Sequence, residues 1–474
     1  MKSILNLLFY LLTLSCFNNH SCAQSYEYFQ QDVDYDIKVE VISLKDFTVD
    51  LQVKYINNSP IQLDTLYFHL WMNAFGDKNS PYSNQILKAG DRSFYFYAPS
   101  ELGGYSNLEC KSKNENFEIE YLNPSNEMAF IVLKKPLLSE DSISFNFKYD
   151  LTLPKMSGRI GWDNDMAKLI HWFPRFAVYD QNGWNRMPYL SWGEFYGEYC
   201  NFNLNFKVPD SLYLVGPNGY YFPDTMGNNL RIKKAIDAPL TIYKRESWML
   251  KTSQYEFLTE GKSALKKKLI NAHYYRNHET WKHAVEYANE VINFYEEEIG
   301  PFPFPALTIC QGPSYQGGAM EYPGMIIING NGSKKELQYL IAHEIAHLYF
   351  YGALGFNERE EPYMDEGLAT FYEDKFTRFK YGESHYNQTL PKFLRANDNI
   401  SLGQKAYIHQ CKLHMHQPMN TDATQSTAIN YGLNSYPKAS YMWKNIELYL
   451  GKTTFKECIQ NIYKTRRETH LDHK

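Results

Sequence analysis

Residues 341–372 constrain the fold more than any other part of this sequence, because they contain three potential metal ligands at fixed spacings. His343 and His347 are four residues apart, so an α-helix would place both imidazoles on one face, one turn apart. Glu344 would lie about 100° round the same helix from His343, where its carboxylate can face a water molecule instead of the metal. The spacing therefore predicts a hydrolytic metal site on a helix.

The third protein ligand is predicted to be Glu366, nineteen residues after His347 on a second helix. Ser333 and Glu336 form a capping-box pattern before the first helix, and Pro362 suits the first turn of the second. Two antiparallel helices would bring Glu366 to the histidines and leave the fourth position of one tetrahedral Zn²⁺ to water. An HExxH string alone can arise by chance, but the acidic residue at this distance favours the metal. Zinc is inferred from ligand type, and cobalt or manganese could also bind such a site in vitro.

Three motifs in this order resemble the M1 family of metallopeptidases, the group of aminopeptidase N and leukotriene A4 hydrolase. HEIAH and DEGLATF, within residues 343–371, resemble the zinc-binding signature of that family. GGAMEY at residues 317–322 resembles its GxMEN exopeptidase motif, although Tyr322 replaces the usual Asn. YPKA at residues 436–439 resembles its YxKG segment. The resemblance implies a gluzincin-type aminopeptidase.

The resemblance also implies roles for individual residues. It assigns substrate binding to Gly318, Ala319, Met320 and Glu321, and oxyanion stabilisation to Tyr436. A carboxylate at Glu321 would pair with a free α-ammonium in a water-poor cleft. Without the metal motif, residues 317–322 would be interpreted as a turn into an edge strand, and one tyrosine among 40 would carry no role. Glu373 is seven residues after Glu366 and could accept a hydrogen bond from a ligating imidazole, although an exposed glutamate is an equal alternative. Asp365 is next to Glu366 in the sequence, and the argument for such a role is no stronger for Asp365 than for Glu373.

The first 23 residues predict a secretory signal peptide. Lys2 precedes an apolar run over residues 4–14, and small residues at 21–23 suit cleavage. The run is too short for a membrane span, and no later segment reaches about 18 apolar residues. We therefore expect export to the periplasm or the extracellular space, with lipoprotein anchoring through Cys16 as the lesser alternative. The five remaining cysteines are scattered and form no disulfide framework.

Residues 24–250 are predicted to form an all-β domain. Apolar and polar residues alternate over residues 37–41, 47–55, 143–149 and 202–208. The domain resembles the saddle-like β domain that precedes the catalytic domain in the M1 family, and residues 171–175 resemble its WFPC-type segment. An independent sugar-binding β-sandwich is the alternative.

Residues 251–474 are predicted to form the catalytic domain, because the apolar period changes there. Helical patterns occupy residues 279–298 and 437–450, and strand-like runs occupy 307–309 and 325–328. A mixed sheet followed by helices resembles a thermolysin-like zinc peptidase domain. Fuller family members add a helical carboxy-terminal domain, for which the sequence leaves almost no room, so we expect either a short-form member with a more open cleft or a truncated sequence. The expected fold class is thus α+β, with two domains.

The sequence therefore predicts a secreted zinc aminopeptidase that acts on peptides with a free amino terminus and uses Glu344 as general base. The net charge of −5 gives no electrostatic argument for nucleic acid as a partner. An endopeptidase, a lipid-epoxide hydrolase on the same scaffold and an inert binding protein with a structural zinc remain as alternatives.

Overall fold

The computed structural model describes residues 28–113, 115–221, 229–258, 265–330, 332–382 and 402–471. The predicted signal peptide lies outside the described residues. In the described part of the chain, no helix has the length and apolar character needed to cross a membrane. Each of the five cysteines there has a free thiol.

The first part of the chain is rich in β-strands, because apolar side chains alternate with polar ones. One short α-helix, α1 (Pro81–Lys88), and three 3₁₀-helical turns at Trp71–Phe75, Phe94–Phe96 and Pro99–Glu101 interrupt the strands of its described residues. The strands are β1 (Asp32–Val41), β2 (Asp46–Ile56), β3 (Leu63–His69), β4 (Gly104–Ser112), β5 (Glu115–Phe117), β6 (Glu120–Tyr121), β7 (Met128–Leu137), β8 (Ser142–Thr152), β9 (Gly161–Trp162), β10 (Met166–Leu169), β11 (Arg175–Phe176), β12 (Tyr179–Asp180), β13 (Gly183–Trp184), β14 (Cys200–Lys207), β15 (Leu212–Gly216), β16 (Gly219–Tyr221), β17 (Asn229–Ala235) and β18 (Leu240–Lys244).

The four segments with alternating apolar residues are neighbouring strands of one sheet. Its order is β17-β14-β1-β2-β8-β4-β5, in which β1 runs parallel to β14 and antiparallel to β2. Ile37, Val39 and Leu51 are among the side chains that this alternation buries. Two further sheets have the orders β16-β15-β18-β10-β9 and β11-β3-β7-β6. The buried faces of these sheets form one large apolar core.

The second part of the chain contains a mixed five-stranded sheet in the order β19-β20-β21-β23-β22. Its strands are β19 (Trp248–Leu258), β20 (Leu265–Tyr275), β21 (Ala306–Gln311), β22 (Ala319–Tyr322) and β23 (Met325–Ile328). β20, β21 and β23 are parallel, and β22 is an antiparallel edge strand. Two short strands, β24 (Leu354–Phe356) and β25 (Thr469–Leu471), pair with each other. The edge position of β22 leaves one side of its backbone without a neighbouring strand in this sheet.

Helices cover this sheet and carry most of the predicted site. They are α2 (Ala284–Glu298), α3 (Lys334–Phe350), α4 (Pro362–Tyr381), α5 (Leu402–Lys412), α6 (Ala428–Leu433), α7 (Ala439–Leu450) and α8 (Lys452–Arg466). Together with the sheet they form a second apolar core, into which α3 buries Leu337, Ile341 and Ile345. The Tyr295 hydroxyl of α2 donates to the Ala342 carbonyl of α3 at 2.9 Å. These contacts hold α3 in place against α2.

The prediction of a mixed α+β fold with a β-rich amino-terminal part is confirmed. The helix predicted over residues 437–450 differs at its start, since a π-helical turn at Asn434–Lys438 contains Pro437 and α7 begins only at Ala439. Pro437 has no N–H to donate, which favours a widened turn. The domain limit at residue 250 lies inside β19 and stays a prediction, as do the saddle-like and thermolysin-like descriptions and the absence of a helical carboxy-terminal domain.

Candidate functional site

The two helices that carry the predicted ligands begin as their sequences suggest. At the start of α3, the Ser333 hydroxyl accepts a hydrogen bond from the Glu336 N–H, and the Glu336 carboxylate accepts one from the Ser333 N–H. Pro362 occupies the first turn of α4. Since α3 and α4 pack against each other, their inner faces bring His343 and His347 to Glu366.

The three predicted ligand atoms form a nearly regular triangle. His347 Nε2 lies 3.1 Å from His343 Nε2 and 3.1 Å from Glu366 Oε2, and His343 Nε2 lies 3.4 Å from the same oxygen. Tetrahedral zinc with bonds of about 2.0–2.1 Å holds neighbouring ligand atoms about 3.3 Å apart. Within the described residues, Glu366 Oε2 receives no hydrogen bond. Two imidazoles and a carboxylate at this spacing fit one Zn²⁺.

Carboxylates outside this triangle orient both imidazoles. His347 Nδ1 lies 2.8 Å from Asp365 Oδ1, and His343 Nδ1 lies 3.3 Å from Glu373 Oε2. A carboxylate on Nδ1 favours the tautomer whose Nε2 lone pair is free to bind a metal. Asp365 makes the shorter contact and is fully buried, although its position in the sequence did not distinguish it from its neighbours. Sequence reasoning missed Glu358, which is fully buried and has no hydrogen-bond partner at either carboxyl oxygen among the described residues.

Two further glutamates face the same region. Burial raises the pKa of Glu344 to about 7, and its Oε2 has no hydrogen-bond partner in the described structure. The Glu321 carboxylate lies within 4.8 Å of ligand atoms of His347 and Asp365. Burial raises the pKa of Glu321 well above its usual range, and the carboxyls around it raise it further while His347 opposes them. This crowding of buried acids makes the site a strong attractor of cations.

The residues before Glu321 form the turn and edge strand that the motif suggested. Gly318 adopts φ +78°, a conformation that favours glycine. Ala319 and Met320 follow in β22, which pairs with β23 on one side only. Tyr322 is buried, and its hydroxyl has no hydrogen-bond partner among the described residues.

Tyr436 reaches the metal ligands from the π-helical turn. Its hydroxyl donates to Glu366 Oε1, and its ring stacks on His343 with centroids 6.0 Å apart. The structure thus brings together His343, His347, Glu366, Glu344, Glu321 and Tyr436, and their chemical roles stay predictions.

A family model and several curated proteins match part of this chain. Residues 283–472 match the family model described as the Peptidase family M1 domain. The chain is 26% identical over 192 residues to probable aminopeptidase 1 of Saccharolobus solfataricus, a match that covers 38% of this chain and 23% of that protein. It is 25% identical over 201 residues to tricorn protease-interacting factor F2 of Thermoplasma acidophilum, covering 39% of this chain and 24% of that protein. The chain therefore spans about a quarter of the length of the curated relatives it matches.

Among solved structures, the fold is similar to an M1 zinc metallopeptidase from Deinococcus radiodurans. The TM-score is 0.60 at 13% identity, with 94% of this chain and 88% of that chain covered. A mutant M1 zinc metallopeptidase from Deinococcus radiodurans, bound to a Tyr-Ser-Ala substrate, gives the same TM-score at 12% identity, with 95% and 89% covered. At these identities the likeness concerns the fold.

Proposed function

This chain belongs to peptidase family M1 through the domain at residues 283–472, and on that premise we propose that it is an exported zinc aminopeptidase. Members of this family use one catalytic Zn²⁺. The observation that carries the proposal is the convergence of three kinds of group in one place. These are a ligand triangle with edges of 3.1–3.4 Å, an unpartnered buried base at Glu344 and a buried carboxyl group at Glu321 in an edge strand.

The ligand triangle supplies the metal site. His343, His347 and Glu366 would hold Zn²⁺, which when bound acts as a Lewis acid toward water and the scissile carbonyl. Asp365 and Glu373 hold the imidazoles in the tautomer that this requires.

Glu344 moves the proton. Its Oε2 is buried and free of competing donors, so it can take a proton from the attacking water and pass it to the nitrogen of the leaving amine. Burial raises the pKa of the Glu344 carboxyl, which makes it a stronger base than an exposed glutamate.

Glu321 and β22 position the peptide. The open side of β22 offers backbone groups of Ala319 and Met320 to an extended substrate, which adds as a further strand. Glu321 then lies where it can pair with the free α-ammonium of the first residue. The Tyr436 hydroxyl donates a hydrogen bond to Glu366 Oε1 in this structure, and with substrate bound it would turn toward the oxyanion.

Export rests on the first 23 residues, whose charge and apolar pattern are those of a signal peptide. We propose a periplasmic or extracellular enzyme, and lipid attachment at Cys16 is the lesser alternative.

The test uses the tripeptide Tyr-Ser-Ala, which is the ligand of the Deinococcus radiodurans mutant, with a free and with an acetylated amino terminus. Zinc content is measured in parallel, and Glu344→Gln, which is expected to keep zinc and fold but lose hydrolysis, is the blank. Preferential release of tyrosine from the free peptide is expected. Equal cleavage of both peptides would establish an endopeptidase and remove the role of Glu321. No cleavage by zinc-loaded protein would favour the lipid-epoxide hydrolase or the inert binding protein.

A further inference from the structure

A cavity lies between the β-rich part of the chain and the edge strand β22. Its volume is about 320 Å³, which is at the lower end of the range for small-molecule sites. Residues from both parts of the chain line it, among them Gly317, Ala319, Met320, Tyr82, Arg159 and Tyr189. The cavity therefore opens beside the strand that carries Glu321.

This position suits the first side chain of a peptide substrate. In an amino acid, the side chain and the α-ammonium are attached to the same carbon atom. If Glu321 holds the ammonium, the first side chain must lie close to β22, where the cavity is. This step rests on the proposed aminopeptidase function.

Arg159 is the one charged side chain among the described residues that line the cavity. Its guanidinium binds the Glu194 carboxylate at two points, since Nη1 donates to Oε2 and Nη2 donates to Oε1 at 2.7 Å. Nη2 also donates to the Ser191 carbonyl at 3.4 Å. The two charged side chains are only 9% and 11% exposed. Glu194 does not line the cavity, so a side chain that enters it meets the guanidinium first.

The surroundings of this ion pair hold it in place. The Arg159 guanidinium lies 5.4 Å from the ring centre of Phe195, the residue after Glu194. Trp71 and His171 pack on the same ring, with centroid distances of 4.5 and 4.2 Å. Because Phe195 is fixed on several sides, Glu194 cannot easily move away from Arg159.

A second cation contacts the lining residues without lining the cavity itself. Lys168 Nζ donates to Gln316 Oε1 at 2.9 Å and to the Gly158 carbonyl at 3.1 Å. Burial lowers the pKa of Lys168 to about 7. At pH 8 most of the Lys168 side chains are therefore uncharged, and the charges beside the cavity are those of Arg159 and Glu194.

We propose that this cavity receives the first side chain of the substrate and that the ion pair of Arg159 with Glu194 restricts it to uncharged side chains. A cationic side chain would meet the guanidinium, which repels it. An anionic side chain would meet an arginine whose charge Glu194 already neutralises, so it would leave water without a free counter-charge. The rings of Tyr82 and Tyr189, edge to face at 5.4 Å, offer apolar surface instead.

The first measurement compares the tripeptides Met-Ser-Ala, Glu-Ser-Ala and Lys-Ser-Ala, whose first side chains are similar in length and differ in charge. Their binding to zinc-loaded Glu344→Gln is measured by calorimetry at pH 8, because this variant is expected to bind peptides without cleaving them. We expect Met-Ser-Ala to bind tightest and each charged peptide to bind at least about tenfold more weakly. Equal affinity for Met-Ser-Ala and Glu-Ser-Ala would overturn the proposal, and so would a failure of all three to bind.

The second measurement releases the charge of Arg159. Glu194→Gln, made in the same Glu344→Gln protein, removes the carboxylate and keeps an amide oxygen that can still accept from the guanidinium. A hydrogen bond to a charged group typically changes a binding constant about 10–100-fold. We expect Glu-Ser-Ala to bind tighter by that factor, while the affinity for Met-Ser-Ala changes little.

Two controls assign this gain to Arg159. Adding Arg159→Met to Glu194→Gln removes both charges and should abolish the gain for Glu-Ser-Ala. Glu101→Gln breaks a more exposed ion pair, in which Lys155 Nζ lies 2.7 Å from Glu101 Oε1 outside the cavity lining, and should change no affinity. A folded Glu194→Gln protein without the gain would overturn the proposal, as would a gain that persists after Arg159→Met. If Glu194→Gln does not fold, the order of the three peptides decides.

The outcomes separate this proposal from the proposed function. If the wild type cleaves Tyr-Ser-Ala but Met-Ser-Ala and Glu-Ser-Ala bind equally, the aminopeptidase stands and the role of Arg159 and Glu194 fails. If zinc-loaded wild type cleaves no peptide while the order of affinities and the gain in Glu194→Gln hold, the aminopeptidase fails and the assignment of the cavity stands.

Discussion

Replacing Glu321 by Gln tests whether this site recognises the free amino terminus of the substrate peptide. The side chain is buried, so its charge acts at an effective dielectric constant of about 20, where two unit charges about 4 Å apart attract by about 4 kcal/mol. Removing one partner of a buried ion pair costs about 3–5 kcal/mol, because the other charge is left uncompensated, and for this pair we expect a loss of about 3–4 kcal/mol. A free-energy loss of about 1.4 kcal/mol corresponds to a tenfold change in the constant. We therefore expect kcat/KM for the free tripeptide to fall about 10²–10³-fold.

The assay compares kcat/KM for free and acetylated Tyr-Ser-Ala in the wild type and in Glu321→Gln. Cleavage of the acetylated peptide should stay at its low wild-type level, because that peptide has no ammonium to lose. Thermal stability should be equal or higher, since burial already disfavours the charge at Glu321. Glu360→Gln removes an exposed carboxylate as the control. An unchanged preference for the free amine in Glu321→Gln would refute the charge-pair argument.

Three substitutions and one treatment test the rest of the site. His343→Ala should lose zinc, which metal analysis of the purified variant measures directly. Tyr436→Phe should keep its zinc and lower kcat about 100-fold, corresponding to about 3 kcal/mol for one oxyanion donor, and unchanged kcat would remove that role. Glu373→Gln should weaken zinc binding about tenfold in a chelator competition, and wild-type affinity would show that the 3.3 Å contact with His343 has no orienting role. Dialysis against a chelator should abolish hydrolysis and lower the melting temperature, because a ligand at 1,000-fold its Kd stabilises the folded state by about 4 kcal/mol. An unchanged melting temperature would argue against zinc binding to the folded chain.

The parts of this site that could be predicted from sequence are those governed by local helix geometry. The four-residue spacing of His343 and His347 fixes a shared face whatever the rest of the chain does. The approach of Glu366 needed one further assumption, that the two helices pack as an antiparallel pair. In the β-rich part, alternation identified β1, β2, β8 and β14, but the parallel pairing of β1 with β14 joins residues far apart in sequence and has no local signature.

The contacts that escaped prediction depend on how loops fold over the helices. Glu358 lies in an irregular turn, where no periodicity shows which way a side chain points. Its complete burial follows from the path of the chain between β24 and α4. Tyr436 was found only through its motif, because the π-helical turn that aims it at Glu366 has no distinct residue pattern beyond Pro437.

The concentration of buried acids links the metal and the substrate. Burial raises the pKa of Glu321 and of Glu344, Glu344 and Glu366 raise that of Glu321 further, Glu366 raises that of Glu344, and the imidazole of His347 offsets only part of these effects. A bound dication favours the ionised form of each neighbouring carboxyl, so it keeps Glu321 charged and able to hold an ammonium. The same dication also repels that ammonium, so the attraction at Glu321 depends on the metal remaining nearer to Glu366 than to Glu321. The triangle of His343, His347 and Glu366 would hold the metal between α3 and α4, whereas Glu321 belongs to the edge strand β22.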